Sequence, residues 1–337
     1  MDICLLSRYF SFKGTGVSRV STEVAKGLEA RGHSVTKIFT KGHSLVSYFF
    51  YTAVEIPIRL PRKNVDVFHA LATLESIWLM PRYKSISTIL DLFTTTDPNN
   101  SGAGMGYSRL KLEIGRRYFD LGARLATHCR FVTCLSQKTA NEVVEYLRVP
   151  ADNLRVINLG IDADLNPTPK LDGVFRVGTL NQLDKRKRIN LLIDAFKNSK
   201  VDGELLIAGG GLDREMLEAQ AGNDLSIRFL GVIPNNSLRS YYTNLDIFCS
   251  PTANEGWGLS LVEAMACKIP CVVLADAALP EEIKSRCVVT DDLAGTIRNW
   301  KRPAQSIIDD NYAWAKTFTW EKCVGEYEKL YREIKEG

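Results

Sequence analysis

The sequence predicts two parallel α/β domains, each a doubly wound sheet flanked by helices, facing a shared cleft. Three observations carry that expectation. At 337 residues the chain is longer than one ordinary core needs and comfortable for two. Short β-rich runs alternate with helical periodicity along nearly its whole length, the pattern of parallel α/β architecture. The alternation breaks once, at 160–173, in Gly, Asp, Asn and Pro around Asn166-Pro167-Thr168-Pro169, and then restarts, which marks a linker.

In the first half the strand candidates are 3–7, 34–40, 65–69, 86–92, 131–136 and 154–157, apolar or β-branched runs of strand length. Helical patterns lie between them at 17–31, 107–128 and 139–147, and Gly32 stops the first as a C-terminal glycine does. The second half offers strands at 175–179, 204–208, 227–230, 247–250, 271–275 and 287–290. Its helices fit 190–197, 214–221, 237–243 and 259–267, and 305–335 reads as helical throughout. Ligands of such sheets bind outside the carboxyl ends of the strands.

Composition narrows the function classes. The chain is 45% hydrophobic and 24% charged, a globular balance. A formal net charge of +4 admits anionic ligands or a membrane surface but is too weak to argue for nucleic acid. Met1-Asp2 runs straight into Ile3–Leu6, a first strand and not a leader. The most apolar window, 45–60, is interrupted by Glu55, Pro57 and Arg59, so no membrane span is expected. Eight cysteines, several inside apolar runs and none spaced with histidine in zinc-site fashion, read as core thiols in a reducing cytoplasm.

The most informative stretch is Glu255-Gly256-Trp257-Gly258-Leu259-Ser260-Leu261-Val262-Glu263. A glycine turn opens an apolar helix whose first N–H groups are free to bind an anion. Carboxylates on either side repel phosphate but accept hydrogen bonds from hydroxyls. A ligand that is part phosphate and part polyol, such as a nucleotide sugar, satisfies both. Equally, Glu255 can be a loop carboxylate and Glu263 a first-turn residue favoured by the helix dipole.

Other segments converge on the same ligand. Lys185-Arg186-Lys187-Arg188, between a strand and the helix from Asn190, suits a diphosphate. Gly14-Thr15-Gly16 opens the first helix and can bring backbone N–H groups to a phosphate or sugar. It lacks the third glycine and the acidic residue of a dinucleotide fingerprint, so a nicotinamide dehydrogenase is disfavoured. Gly209-Gly210-Gly211 either admits a nucleotide or turns the chain, and Val232-Ile233 is a candidate apolar lip for a base. His69 and Asp91, at the ends of the third and fourth strands, are ligand contacts or structural residues, Asp91 being suited to sugar hydroxyls. The acidic pairs Asp291-Asp292 and Asp309-Asp310 read as helix-start caps, so no metal site is assigned. The basic amphipathic segment 109–130 is a surface helix or, as a second option, a contact for an anionic membrane.

Taken together, these stretches resemble the family-4 retaining glycosyltransferases with the GT-B fold of two Rossmann-like domains. The resemblance runs through Gly14–Gly16, Arg31-Gly32-His33-Ser34-Val35, Leu135-Ser136, Val156-Ile157-Asn158-Leu159-Gly160-Ile161-Asp162, Val177-Gly178 and Lys187 ahead of Leu191-Leu192-Ile193-Asp194-Ala195-Phe196. It continues through Phe229-Leu230-Gly231, Ser250-Pro251, the Glu255…Glu263 motif with Ala264-Met265-Ala266, Pro280-Glu281 and Phe318-Thr319-Trp320. It implies an acceptor-side domain at 1–163, a donor domain at 164–317, and a last helix, about 318–337, crossing back onto the first. Glu263 is similar to the carboxylate that binds the donor ribose, and Glu255 to the one facing the donor sugar. Gly258, Leu259 and Ser260 would offer backbone groups to the phosphates, Lys187 would neutralise them, and Gly16 would line the reaction centre. Leu90-Asp91 stands where the family often has His-Asp, and Thr179 where an Arg is common; Arg186 or Arg188 would replace that charge.

The resulting expectation is a cytoplasmic enzyme, peripheral at the inner membrane face if the basic helix docks there, that needs no metal or other cofactor. It would move a hexose-type sugar from a nucleotide-diphosphate sugar to a hydroxyl of a glycan or lipid-linked acceptor. Lys187, Glu255 and Asp91 would be catalytic. Gly16, Thr179, Arg186, Arg188, Gly210, Val232, Ile233, Gly258, Leu259, Ser260 and Glu263 would bind the donor, with Gly14 and His69 on the acceptor side. The alternatives are a non-catalytic nucleotide-sugar-binding protein and a nucleotide-sugar epimerase.

Overall fold

The structure, a computed structural model, describes residues 1–10, 16–40, 42, 45–60, 64–79, 84–92, 109–170 and 172–337, the side chains of 45 and 109–112 excepted. Among these, the residues up to Gly160 together with Thr319–Gly337 form one unit, and Ile161–Phe318 the other.

The first unit is built on six parallel strands: β1 (Asp2–Leu6), β2 (Ser34–Ile38), β3 (Val67–Ala70), β4 (Ser85–Ile89), β5 (Phe131–Cys134) and β6 (Leu154–Val156), in spatial order 2-1-3-4-5-6. Strands β3, β4 and β5 are buried at every residue, which is why they read as unbroken runs and not as alternation. The Gly16–Ala30 helix covers the sheet through Val20, Val24, Ala25 and Leu28 and ends before Gly32, whose φ of +80° only glycine adopts at little cost. The apolar window at 45–60 is helical, as Leu45–Phe50, a π-turn at Tyr51–Glu55, and Ile56–Arg59.

The stretch 305–335 is not one helix. It is two, Gln305–Ala315 and Trp320–Glu336, separated by four residues that include the N-cap Thr319. The second helix belongs to the first unit and buries Cys323, Val324, Tyr327, Leu330, Tyr331 and Ile334. Gly27 lets it approach, because a Cβ there would stand 2.6 Å from a Val324 methyl. The docking explains His69, which is no acceptor contact. The residue lies inside β3 with no exposed surface, its Nδ1 2.6 Å from the Tyr331 hydroxyl and its Nε2 2.7 Å from Thr88. Burial pushes its imidazole down to about 3, so it stays neutral as a structural link between sheet and helix.

The second unit repeats the architecture with β7 (Arg176–Leu180), β8 (Glu204–Ala208), β9 (Ile227–Gly231), β10 (Ile247–Ser250), β11 (Cys271–Leu274) and β12 (Val288–Thr290), all parallel, in order 12-11-10-7-8-9. Val177, Leu205, Ile207, Ile247 and Val272 from the sheet pack with Leu192, Ile193 and Phe196 of the Ile189–Ser199 helix. Asp292 caps the Leu293–Arg298 helix as its position suggests. Asp309 and Asp310, by contrast, fall mid-helix and pair with Lys268 and Arg286. All eight cysteines are free thiols and seven are buried. Among the described residues no helix is long and apolar enough to cross a membrane.

Candidate active site

In the second sheet the strand order reverses between β7 and β10, so the loops after these two strands diverge and leave a crevice at their carboxyl ends. The loop after β7 carries the four cations, and the loop after β10 carries Glu255. Asp184 caps a 3-10 turn at Lys185–Lys187 by accepting the Lys187 N–H at 3.2 Å. Arg188 then adopts φ +50° and starts the Ile189–Ser199 helix. Its guanidinium donates to the carbonyls of Pro251 (2.7 Å) and Thr252 (2.9 Å) and grips Asp276 with both terminal nitrogens. A backbone bond from Ala253 to the Arg186 carbonyl completes the clasp. Arg188 is thus engaged in fastening one loop to the other.

That fastening sets Lys187 against Glu255. The ammonium donates to Glu255 Oε1, and Arg186 stands 3.8 Å from the other carboxylate oxygen while bonding the Asn254 carbonyl. Lys187 is 7% exposed. Burial pushes its ammonium below the usual lysine range, and the carboxylate partly offsets this. Burial also acts against the Glu255 carboxylate. The charges of Lys187 and Arg186, with hydrogen bonds from Lys187 and Thr252, outweigh it and hold the group below its usual value. Glu255 is thus held between two basic side chains.

Three residues on, Gly258 at φ +90° turns the chain into the Leu259–Ala266 helix. The first helix bonds run from Leu261 and Val262 to the Gly258 carbonyl, so the N–H groups of Gly258, Leu259 and Ser260 precede the helical ladder. They sit at its positive end. Glu263 lies a turn further in, 1% exposed, with Oε2 accepting the Tyr242 hydroxyl at 2.7 Å. The nonapeptide thus divides its carboxylates. Glu255 belongs to the cation cluster, and Glu263 is a buried carboxylate fixed by a tyrosine that carried no sequence signal.

Thr179 does not act as expected. It is fully buried within β7, its hydroxyl accepts the Asn181 amide at 2.9 Å, and its carbonyl accepts the Tyr241 hydroxyl. Arg186, not Arg188 or Thr179, is the cation beside Glu255. Gly209 and Gly211 turn out to be packing glycines, since a Cβ would stand 1.8 Å from the Asn181 carbonyl and 2.2 Å from that of Leu183. Gly210 is open, with Val232 the nearest side chain at 3.4 Å from a Cβ there, and Val232 itself is 49% exposed next to Ile233. Gly209→Ala, which also meets φ +117°, should lower stability by about 3 kcal/mol or more in urea unfolding; Gly210→Ala should cost less than about 1 kcal/mol.

In the first unit, Gly16 begins its helix with no atom of the described residues near its Cβ position, and Asp91 stands half-buried two residues past β4. Gly14 lies outside the described residues.

Residues 14–165 match the family model "Glycosyltransferase Family 4", and residues 161–292 match "Glycosyl transferases group 1". The O-antigen chain mannosyltransferase B of Escherichia coli is 24% identical over 236 residues, 60% of this chain and 60% of that protein. The chain therefore spans about 60% of the length of that curated relative. Among solved structures, sucrose-phosphate synthase from Thermosynechococcus elongatus shares the fold with a TM-score of 0.78 at 18% identity, covering 99% of this chain and 98% of that one. Anabaena HepE, in complex with UDP and glucose, gives 0.73 at 17% identity, covering 99% and 100%. The chain belongs to the family-4 glycosyltransferases with the GT-B fold.

Proposed function

We propose that the chain moves a hexose-type sugar from a nucleoside-diphosphate sugar to a hydroxyl of a glycan, glycolipid or lipid-linked acceptor, with retention at the anomeric carbon and without a metal ion. The observation that carries this reading is the buried Lys187–Glu255 pair with Arg186 beside it, three residues before a helix start. In the proposed step the bond from the anomeric carbon to the phosphate oxygen breaks. The acceptor oxygen bonds that carbon from the same face, and its proton passes to the departing diphosphate. Lys187, Arg186 and the N–H groups of Gly258, Leu259 and Ser260 meet the charge that grows on the diphosphate, the work a divalent cation would otherwise do.

Glu255 faces the donor sugar hydroxyls, Glu263 the ribose, and Gly210 with Val232 and Ile233 the base. The free thiols support a reducing, cytoplasmic setting.

The mannosyl relative and the UDP- and glucose-bound neighbour put mannose and glucose donors first in a panel of UDP, GDP and ADP sugars. One donor should raise the melting temperature in the presence of a chelator and release its nucleoside diphosphate slowly in water, faster with acceptor. Epimer formation, or binding with no release, would overturn the transferase reading. Loss of all turnover on chelation would overturn its metal independence.

A further inference from the structure

We propose that Arg8, at the carboxyl end of β1, binds an oxyanion of the acceptor, a phosphate ester or a sugar carboxylate. The acceptor is then an anionic molecule and not a neutral glycan. This rests on the transferase reading, with the acceptor on the side of the first unit, and adds to it the acceptor's charge. The first sheet reverses its strand order between β1 and β3, as the second does between β7 and β10. One connection leaves β1 toward β2 and the other leaves β3 toward β4, so the loops after β1 and β3 part and leave a crevice. Arg8 begins the first of these loops, two residues past Leu6, and Glu75 lies in the second, within the 3-10 turn Thr73–Trp78.

Arg8 is fixed from its backbone outward. The N–H of Ser7, the residue before it, donates to the Ile38 carbonyl at 3.1 Å, and the Ser7 carbonyl accepts the Tyr51 hydroxyl at 3.0 Å. The guanidinium then lies over the Tyr48 ring, 4.5 Å from its centroid, and 5.2 Å from that of Tyr9. Aromatic faces hold the flat of the group and leave its N–H edge to a ligand. That edge has no other use within the unit. Among the described residues the buried Nε has no hydrogen-bond partner, and no carboxylate forms an ion pair with the half-buried guanidinium.

Glu75 faces the same crevice and does not cancel this charge. It has no exposed surface, and its Oε1 accepts the Tyr48 hydroxyl at 3.0 Å, so Tyr48 presents its ring to the cation and its hydroxyl to the carboxyl. Burial pushes that carboxyl up to about 7, and in weak acid it is mainly protonated. Arg8 is therefore a preorganised cation without a counter-ion, which is costly unless an anion supplies one. A guanidinium fork matches the paired oxygens of a phosphate or carboxylate, whereas a neutral sugar hydroxyl offers it one uncharged acceptor.

The test is a thermal melt of the full chain with glycerol phosphate or glucuronate, each beside its neutral counterpart, glycerol or glucose, at matched ionic strength. It requires no turnover, so it stands or fails apart from the proposed reaction. At least one anion should raise the melting temperature where its counterpart does not, and the one that does identifies the group as phosphate or carboxylate. Arg8→Gln should fold, since it removes a cation that has no counter-ion, and should weaken the apparent affinity for that anion about tenfold or more. Arg8→Lys, which keeps the charge without the fork, should weaken it less. Lys187→Ala should keep the anion response, because that cation belongs to the site of the second unit. Binding that depends on Arg8 in a chain that transfers no sugar would support the subsite and overturn the reaction. No preference of wild type for either anion over its counterpart would overturn the proposal, and that comparison needs no variant. So would a response that survives Arg8→Gln, or one lost in Lys187→Ala, which would give the anion to the donor site.

Discussion

Glu255→Ala should lower kcat by two to three orders of magnitude, about the effect of removing one preorganised group from a site of developing charge. It should also cost more stability than Lys187→Ala, which disables turnover to a similar degree. The asymmetry follows from what each truncation leaves behind. Without Glu255, Lys187 and Arg186 remain as two neighbouring, largely buried cations with no carboxylate between them. Orphaning a buried charge costs about 3 kcal/mol or more. Without Lys187, the carboxylate keeps Arg186 at 3.8 Å and a hydrogen bond from Thr252. Urea unfolding at neutral pH should therefore rank Glu255→Ala as the less stable variant, with the double variant recovering part of the loss. Because Glu255 is held below its ordinary value of 4.5, its stabilising contribution is present above that pH and is lost as pH falls toward the folded-state value. The gap between wild type and Glu255→Ala should narrow in acid. Near-normal sugar transfer by either folded variant would sink the proposed function.

What the sequence made legible follows from how each feature is encoded. Among the described residues the inner strands stand out within a few residues because parallel strands buried on both faces read as short, largely apolar runs, while the edge strands β2, β6, β9 and β12 are partly exposed. The helical character of 45–60 was hidden by Pro57 and by aromatic and β-branched residues that satisfy a strand as readily as a helix. The break between Ala315 and Trp320 carries no Gly or Pro, so two helices read as one. Lys187 and Glu255 were each visible as chemistry, but their pairing spans 68 positions and comes from the reversal of strand order at β7 and β10. His69 looked equally suited to a ligand or a structural role, because the side chain that decides, Tyr331, enters from 262 residues away. Thr179 misled for the same reason, its partner Asn181 being set by loop geometry.

Glu75→Gln should change the pH dependence of stability in the first unit. Glu75 follows β3 in the 3-10 turn Thr73–Trp78 and has no exposed surface. Its Oε1 accepts the Tyr48 hydroxyl at 3.0 Å, while Oε2 has no hydrogen-bond partner of good geometry among the described residues. Arg8 lies over the Tyr48 ring, 4.5 Å from its centroid, near enough for its charge to act on the carboxyl. Burial is the largest influence and pushes the group up to about 7; the backbone N–H groups of Glu75 and Arg8, the Tyr48 bond and the Arg8 charge offset it only in part. A folded-state value above the unfolded 4.5 means that the native protein holds a proton the unfolded chain has released. The associated stability is complete below pH 4.5 and is lost as pH rises to about 7. Across that window wild type should lose about 3 kcal/mol relative to the amide variant, which carries no titrating group yet keeps an oxygen for Tyr48. Paired urea titrations at several pH values measure this directly, and a constant difference between the two proteins would show that Glu75 is ionised in the native state throughout.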